Sequence, residues 1–563
     1  MEERRRRRAG AATLMLLAAG LPALEAACLY RAGLSSIAGM APQATAPPPF
    51  GVYHDLRWVF VYHHSWAALG GALAALVVFR TVLNTALVML AWPPGPARPP
   101  LRRLVTSNAL CVVLLVVILS PWVTLAAMGA ATSLSWFVLS SLLPLVLLAL
   151  VVNRGGIVPG WWRHPPSPVS VGIAVLTFLS LTAGSTAVSA APGMCCVAAA
   201  FATGLVNAGL WAWLVRTVAT RPKPVIPAFV TPLAIALVPA LILGIGSQII
   251  GLQQAPPDPS VNSINADHLT AAHGRQVIYL QGYGSSYTGT KMSGYPSALH
   301  FTFYSYRGQY ADGAPLPYGP NATHQSLRVL ADRLAQQVDT VHRRSGRTLA
   351  IVAQSEGTFI ARTYLRDHPH PPVDTLVLLS PLVRPARIYY PPRAADSGWG
   401  LGLGWEMRML TALSRLKTGS TVSADEPFVR SVMNNGPWYR NMMLCPVPGT
   451  RVVAFLPTAS AAAVPPGHLS DVTTIEVEAL HGTLSARQDN RRDITAVLTG
   501  KPIDTAELTA YRFVQWAAAG WQVPPLPLSY VPSWHAAAVP DSALDDADGC
   551  TAHSALSGPA KEH

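Results

Sequence analysis

Over the first 250 positions the hydrophobic residues come in long unbroken runs; beyond them they come in short ones. A helix that crosses a membrane needs about 20 mostly apolar residues. Seven stretches meet that requirement, at roughly 10–28, 65–90, 104–128, 134–152, 168–190, 194–215 and 226–250. The second carries Arg80 and reads as one tilted helix, or as a span followed by an interfacial stub, because Thr81 to Trp92 is too short to cross alone.

From about residue 270 short apolar runs alternate with amphipathic stretches, the rhythm of a mostly parallel sheet with helices on both faces. Gln276–Leu280, His300–Tyr306, Thr348–Ala353, Asp374–Leu379, Arg451–Leu456 and Thr473–Ala479 read as strands. Leu327, Leu330, Leu334, Val338 and Val341 fall at helical spacing, with Thr323 as cap and Gly346 as stop. Thr358–Arg366 and Leu508–Trp516 are further helices, and Ile494, Val497 and Leu498 mark another. The chain therefore divides into a transmembrane helical domain (1–251), a Pro/Asn/Ser-rich linker (252–269) and an α/β domain (270–522). The α/β domain carries an insertion at about 384–445, and the Pro/Ala/Asp-rich tail (523–563) is expected to be poorly ordered.

Charge sharpens this division. Only 12% of residues are charged, and residues 1–255 hold 16 Lys and Arg against 4 Asp and Glu. The arginines flank apolar runs instead of forming a basic stripe, which points to a membrane and away from nucleic acid. Arg4 to Arg8 and the loops with Arg98, Arg102 and Arg103, with Arg154 and Arg163, and with Arg216, Arg221 and Lys223 fall on one side. By the positive-inside rule that side is cytoplasmic, and seven spans then put the C-terminal domain outside the cell membrane. The outer segment 29–57 breaks the pattern with Arg31 and Arg57. Trp161, Trp162, Trp211 and Trp213 fit an inner aromatic belt.

After Glu25 the spans carry no carboxylate, which ranks an ion-coupled transporter low. Arg80 is expected to snorkel or to pair with backbone carbonyls, and His63 and His64 to sit at a wet interface. No cysteines have metal-ligand spacing. Cys445 and Cys550 are expected to pair only if their domain lies in an oxidising compartment.

One segment carries chemistry. Ala353-Gln354-Ser355-Glu356-Gly357 lies between a predicted strand and a predicted helix. It resembles the nucleophile elbow of the α/β-hydrolase superfamily, G-x-S-x-G, with Ala353 in place of the first glycine. The resemblance covers about residues 270–520 and implies an α/β-hydrolase fold with Ser355 as nucleophile. It also implies the backbone N–H of Glu356 as one oxyanion donor. Gly282-Tyr283-Gly284 resembles the family's oxyanion loop, with Tyr283 N–H as the second donor and Gln281 where that loop often has histidine. His481, in the loop behind the last strand, takes the place of the base.

The acid is the weakest member. Residues 457–470, behind the penultimate strand, hold no carboxylate, and Ala461 stands about where the family has its aspartate. Asp471 is the candidate; Glu476 and Glu478 are read as solvated or paired, and His273, His300, His324, His342 and His468 as ordinary loop residues. The insertion carries Trp399, Trp405, Met407, Met409, Trp438 and Tyr439, suited to a lid or to a face resting on lipid.

The implied activity is that of a membrane-anchored serine hydrolase of esterase, lipase or thioesterase type. It would act outside the cytoplasmic membrane on an acyl ester of a lipid or envelope component, with no cofactor or metal. The same site passing its acyl group to an alcohol is an acyltransferase. The rival from another class is a membrane protein whose degenerate hydrolase domain binds a ligand without catalysis; the missing acid is its support.

Overall fold

The computed structural model describes residues 2–534 except 159, 221–226, 228, 229, 232, 233, 235–273, 290–294, 297, 419–422, 468–470, 504, 506 and 507, together with Cys550. The apolar runs form α1 (Glu2–Arg31), α3 (Trp66–Leu90), α4 (Leu101–Thr132), α5 (Ser135–Val152), α6 (Pro168–Ala190) and α7 (Cys195–Thr220), with a shorter α2 (Phe50–Val61) after α1. Among the described residues six helices are long and apolar enough to cross a membrane; α1 counts from Arg8. The expected seventh span, 226–250, lies almost wholly outside the described residues, and the linker 252–269 lies wholly outside them. At one end of the bundle Leu14, Leu87, Leu104, Ile157 and Leu214 pack together beside the arginine loops. At the other end Ala26, Ala38, Val188 and Cys196 do so.

The segment read as an outer loop is instead folded into the bundle. A 3-10 helix, Ser35–Thr45, leads into α2, and most of both is buried. Thr45 Oγ1 donates to Ala18 O at 2.7 Å, Asn207 Nδ2 to Pro42 O at 2.8 Å and Trp211 Nε1 to Thr45 O at 2.8 Å. Ala18 and Asn207 lie midway along their spans, so this irregular backbone has its carbonyls satisfied by side chains at depth, as lipid surroundings require.

Arg80 reaches the same segment. Its Nη1 donates to Ala44 O at 2.8 Å, as the carbonyl expectation had it, but its Nε and Nη2 pair with Asp55. His54 bridges Asp55 at 2.8 Å and Glu25 at 2.9 Å. The bundle therefore holds a second carboxylate beyond Glu25, contrary to the sequence reading, because Asp55 is carried inward on α2. Two carboxylates on one imidazole need two N–H donors. Either the ring is an imidazolium or one acid keeps its proton.

Six parallel strands follow: β1 (Arg275–Leu280), β2 (Leu299–Phe303), β3 (Leu349–Gln354), β4 (Val373–Leu379), β5 (Arg451–Pro457) and β6 (Thr473–Val477), in the order β2-β1-β3-β4-β5-β6. Alternate side chains serve opposite faces. Ile278, Leu280, Ile351 and Ala353 pack under α8 (Leu327–Ser345) and α9 (Glu356–Asp367). Val277, Val352, Val377 and Phe455 pack on α13 (Gln488–Leu498). Thr323 does not cap α8; Ser326 precedes it, and Thr323 sits in a short 3-10 turn. The order turns back at β1 and β3, and in such sheets the crevice beyond the strand ends at that point is where ligands bind.

Between β4 and β5 the insertion folds as α10 (Leu401–Thr418), α11 (Pro427–Asn434) and α12 (Gly436–Met442). With the sheet it seats on the bundle end opposite the arginine loops. Ala386 N donates to Ala131 O at 2.7 Å, Arg387 N to Ala130 O at 3.2 Å and Gly402 N to His63 Nε2 at 2.7 Å. His63, expected at a wet interface, is buried by this docking.

After α14 (Thr509–Ala519) the chain returns across the seam. Of the tail expected to be poorly ordered, 523–534 is instead packed, with Val523, Leu526, Leu528, Val531 and Trp534 buried, as is Trp521, while 535–549 and 551–563 lie outside the described residues. Trp521 packs on Phe50 and Phe178, with ring centroids 6.0 and 4.8 Å away. The buried Arg57 donates to Gly520 O at 2.7 Å, Gln522 O at 2.5 Å and Gln43 Oε1 at 2.6 Å. A disulfide joins Cys445 to Cys550.

Candidate active site

Ser355 stands alone between β3 and α9 with φ 52° and ψ −115°. That is a strained conformation for a residue with a side chain. It is held by the Ser355 N–H bond to Leu379 O at 3.0 Å and by the close seat of α9 against β1. A Cβ on Gly357 would fall 2.8 Å from Leu280 Cβ, so only glycine lets α9 come so near. Ala353 is fully buried and in register with Leu280 and Leu378, so the methyl in the first glycine's place packs without conflict.

The turn after β1 lies over Ser355: a Cβ on Gly282 would come within 3.1 Å of Ser355 Cβ. Tyr318 donates to Gln281 Oε1 at 2.8 Å and Tyr306 to Gln281 O at 2.6 Å, which fixes the start of the turn. Gly284 N–H is taken by Thr323 Oγ1 at 3.0 Å and Ser285 N–H by Gly282 O at 3.2 Å. The N–H of Glu356 belongs to the first turn of α9, where helical amides have no partner within the helix.

His481 approaches from the loop behind β6. Its Nε2 lies 2.9 Å from Ser355 Oγ. Ser380 Oγ donates to His481 O, and Gln354 Nε2 to Gly482 O at 3.3 Å. Tyr279 in turn donates to Gln354 Oε1 at 2.6 Å, so the serine's neighbour in sequence also steadies the histidine loop.

The third position differs from the expected one. Asp471 lies against the Cys445–Cys550 bridge, its N–H bonded to Leu444 O at 3.2 Å. His481 Nδ1 faces Ser460 Oγ at 3.4 Å. Ser460, one residue before Ala461, is buried in the 3-10 helix Thr458–Ala463, which packs on α5 and α14. Gln522 Nε2 donates to Ala462 O and Val464 O, both at 3.1 Å, and Arg387 to Ala463 O. The loop is thus pressed between the sheet and a membrane helix. A carboxylate there would be dehydrated from both sides, whereas a hydroxyl carries a much smaller penalty.

Burial alone sets the protonation of the candidate base, His481. It pushes the His481 imidazole down to about 4, which keeps the ring neutral and able to accept a proton. Ser460 Oγ can accept the Nδ1 hydrogen, which leaves Nε2 free to accept from Ser355.

A second polar group borders the turn. Tyr283 stacks on His324, with centroids 4.8 Å apart, and donates to Glu426 Oε1 at 2.6 Å. Glu426 Oε2 lies 3.4 Å from His324 Nδ1. Glu356 is wholly buried beneath, within 3.4 Å of the Tyr306 hydroxyl; burial, with Glu426 nearby, holds its carboxyl well above the usual range. His324 was read as an ordinary loop residue, and nothing local in the sequence pairs it with Tyr283. Ser460 lies in the loop where the sequence places the third member, but a hydroxyl there carries no signal of that role in the sequence.

Cys445, Asp471 and Cys550 are the one cluster of ligand-type side chains close enough for an ion among the described residues, and their thiols are joined to each other. Comparison with protein-family models, curated proteins and solved structures finds no match to this chain.

Proposed function

We propose that the chain is a membrane-anchored serine hydrolase with an α/β-hydrolase catalytic domain, acting on an acyl ester outside the cytoplasmic membrane. The observation that carries this reading is the 2.9 Å contact between His481 Nε2 and the Oγ of a serine held at positive φ. The parallel sheet supports it, because the elbow and the Gly282 turn follow the two strands at which the strand order turns back.

In this mechanism His481 Nε2 takes the Ser355 hydroxyl proton as Oγ bonds to the ester carbonyl carbon. The resulting oxyanion accepts from Tyr283 N–H and Glu356 N–H. The C–O bond to the leaving alcohol breaks, and the imidazolium returns its proton to that oxygen. Water then attacks the acyl-enzyme by the same route and frees the carboxylic acid and Ser355. Among the described residues the imidazolium has no carboxylate beside it, so the oxyanion donors and positioning supply more of the rate than in a full triad.

Orientation follows from charge. The arginine loops mark the cytoplasmic end of the bundle, and the sheet domain is docked at the opposite end. α7 closes at the arginine end, while β1 begins in the domain docked at the opposite end. A disulfide in the catalytic domain suits an extracytoplasmic compartment.

The test is release of p-nitrophenol from a short acyl ester by the detergent-solubilised full chain. Wild type should turn over, and Ser355→Ala should fall to the level of buffer. A well-folded wild type without turnover, but with saturable ester binding, would favour the binding-only reading.

A further inference from the structure

The lipid-facing stripe of α4 does not end where the bundle ends. Leu110, Val113 and Val117 are exposed along one face, and the next positions on that face are Ser120 and Thr124. Both hydroxyls donate to Glu406 of α10, each at 2.7 Å. Two hydroxyls in an otherwise apolar stripe are thereby explained: they seat a carboxylate from the insertion. α10 covers α4 at the level where lipid would otherwise touch it.

That level is inside the hydrocarbon, or at its edge. A core about 30 Å thick takes about 20 residues of helix at 1.5 Å each. Counted from Leu104, just past Arg102 and Arg103, it reaches the region of Thr124. α3 gives the same height independently, because a Cβ on Gly402 would strike Leu69, one turn in from Trp66. Trp66 and Trp405 meet edge to face with centroids 6.4 Å apart, as interfacial aromatics do.

The outer face of α10 is largely exposed. Trp405, Met409 and Leu413 follow one another at four-residue spacing and are 55%, 37% and 55% exposed. The opposite face, with Leu403, Glu406 and Met407, is buried. Arg415 brings positive charge to the last turn of the helix. An apolar stripe ending in a basic residue is the pattern of a helix lying in a bilayer interface.

We propose that α10 lies in the outer leaflet, with Trp405, Met409 and Leu413 among the acyl chains, so that the insertion is a membrane-embedded part of the catalytic domain. The partner of this face is the lipid bilayer, argued from its continuity with the exposed stripe of α4. Resting on the hydrolase reading, a second consequence follows: the substrate is an ester carried in that leaflet, reaching the domain from the membrane and not from bulk water.

The experiment uses the full chain in nanodiscs, with its free cysteines replaced and nitroxide labels placed by Leu413→Cys, Val117→Cys or Arg393→Cys. Collision with oxygen and with a water-soluble nickel chelate reads depth. The Leu413 label should behave like that at Val117, rich in oxygen and shielded from nickel; behaviour like the label at the exposed Arg393 would overturn the proposal. The second arm compares Trp405→Glu/Leu413→Glu with wild type on a long-chain ester in vesicles and a short water-soluble ester. Turnover of the vesicle ester should drop about tenfold with the soluble ester unchanged. An equal drop on both would sink delivery from the leaflet. If wild type cleaves neither ester, the hydrolase reading fails while the depth measurement still decides where α10 lies.

Discussion

Two histidines stand in opposite surroundings in this molecule. His54, in the bundle, has a carboxylate on each ring nitrogen, and Arg80 closes the chain of charges behind Asp55. His481, in the sheet domain, has a serine hydroxyl on each. The first arrangement neutralises charge completely and ties α1, α2 and α3 together. The second leaves a dehydrated ring with no carboxylate against it among the described residues. The contrast separates a structural use of histidine from the catalytic one proposed for His481: a fixed charge has to be compensated where it is buried, whereas a base has to stay neutral until the substrate arrives.

Breaking the compensated side should have the largest effect. Arg80→Leu leaves the partly buried Asp55 without its cation, which costs about 3 kcal/mol. Thermal unfolding in detergent, followed by tryptophan fluorescence, should show a large fall in Tm. An unchanged Tm would mean that the cluster does not hold the bundle.

The uncompensated side can be made to resemble the other. Ser460→Asp places a carboxylate on His481 Nδ1 and should raise the acid limb of serine labelling by roughly two pH units. Smaller again, Ser460→Ala removes one long, neutral hydrogen bond and should slow labelling about three- to tenfold through loss of the preferred tautomer. Both are read as labelling rate against pH. An identical profile in all three proteins would show that Ser460 does not position the ring.

Much of this contrast was legible from the chain on one side and hidden on the other. Ser355 and His481 could be placed because a strand-to-helix junction and a loop after the last strand are local patterns. Six of the apolar runs needed only length and hydropathy. The inward fold of residues 35–61 was hidden, because prolines and charges read as an outer loop when the partners that satisfy them, Arg80, Asn207 and Trp211, are distant in sequence. The strap from 520 to 534 was hidden for a similar reason: its prolines suggested disorder, while its tryptophans find their burial across the seam. The third member of the site was missed because its identity depends on what lies behind the loop. A membrane helix on one side favours a hydroxyl where open surroundings would permit an acid.

The central claim is that Ser355 is activated by a histidine that burial alone keeps neutral. Unfolded, such a ring takes its proton near 6.5; folded, near 4. Stability contributed by the neutral ring is therefore full above 6.5 and is lost as pH falls toward 4. The direct measurement is the rate of fluorophosphonate labelling of wild type from pH 3.5 to 8, with tryptophan fluorescence confirming the fold at each point. The account predicts labelling at Ser355 whose rate halves near pH 4. Labelling that halves near 6.5, the ordinary value for a solvated histidine, would contradict the dehydrated base, and no labelling at any pH would contradict the hydrolase mechanism itself.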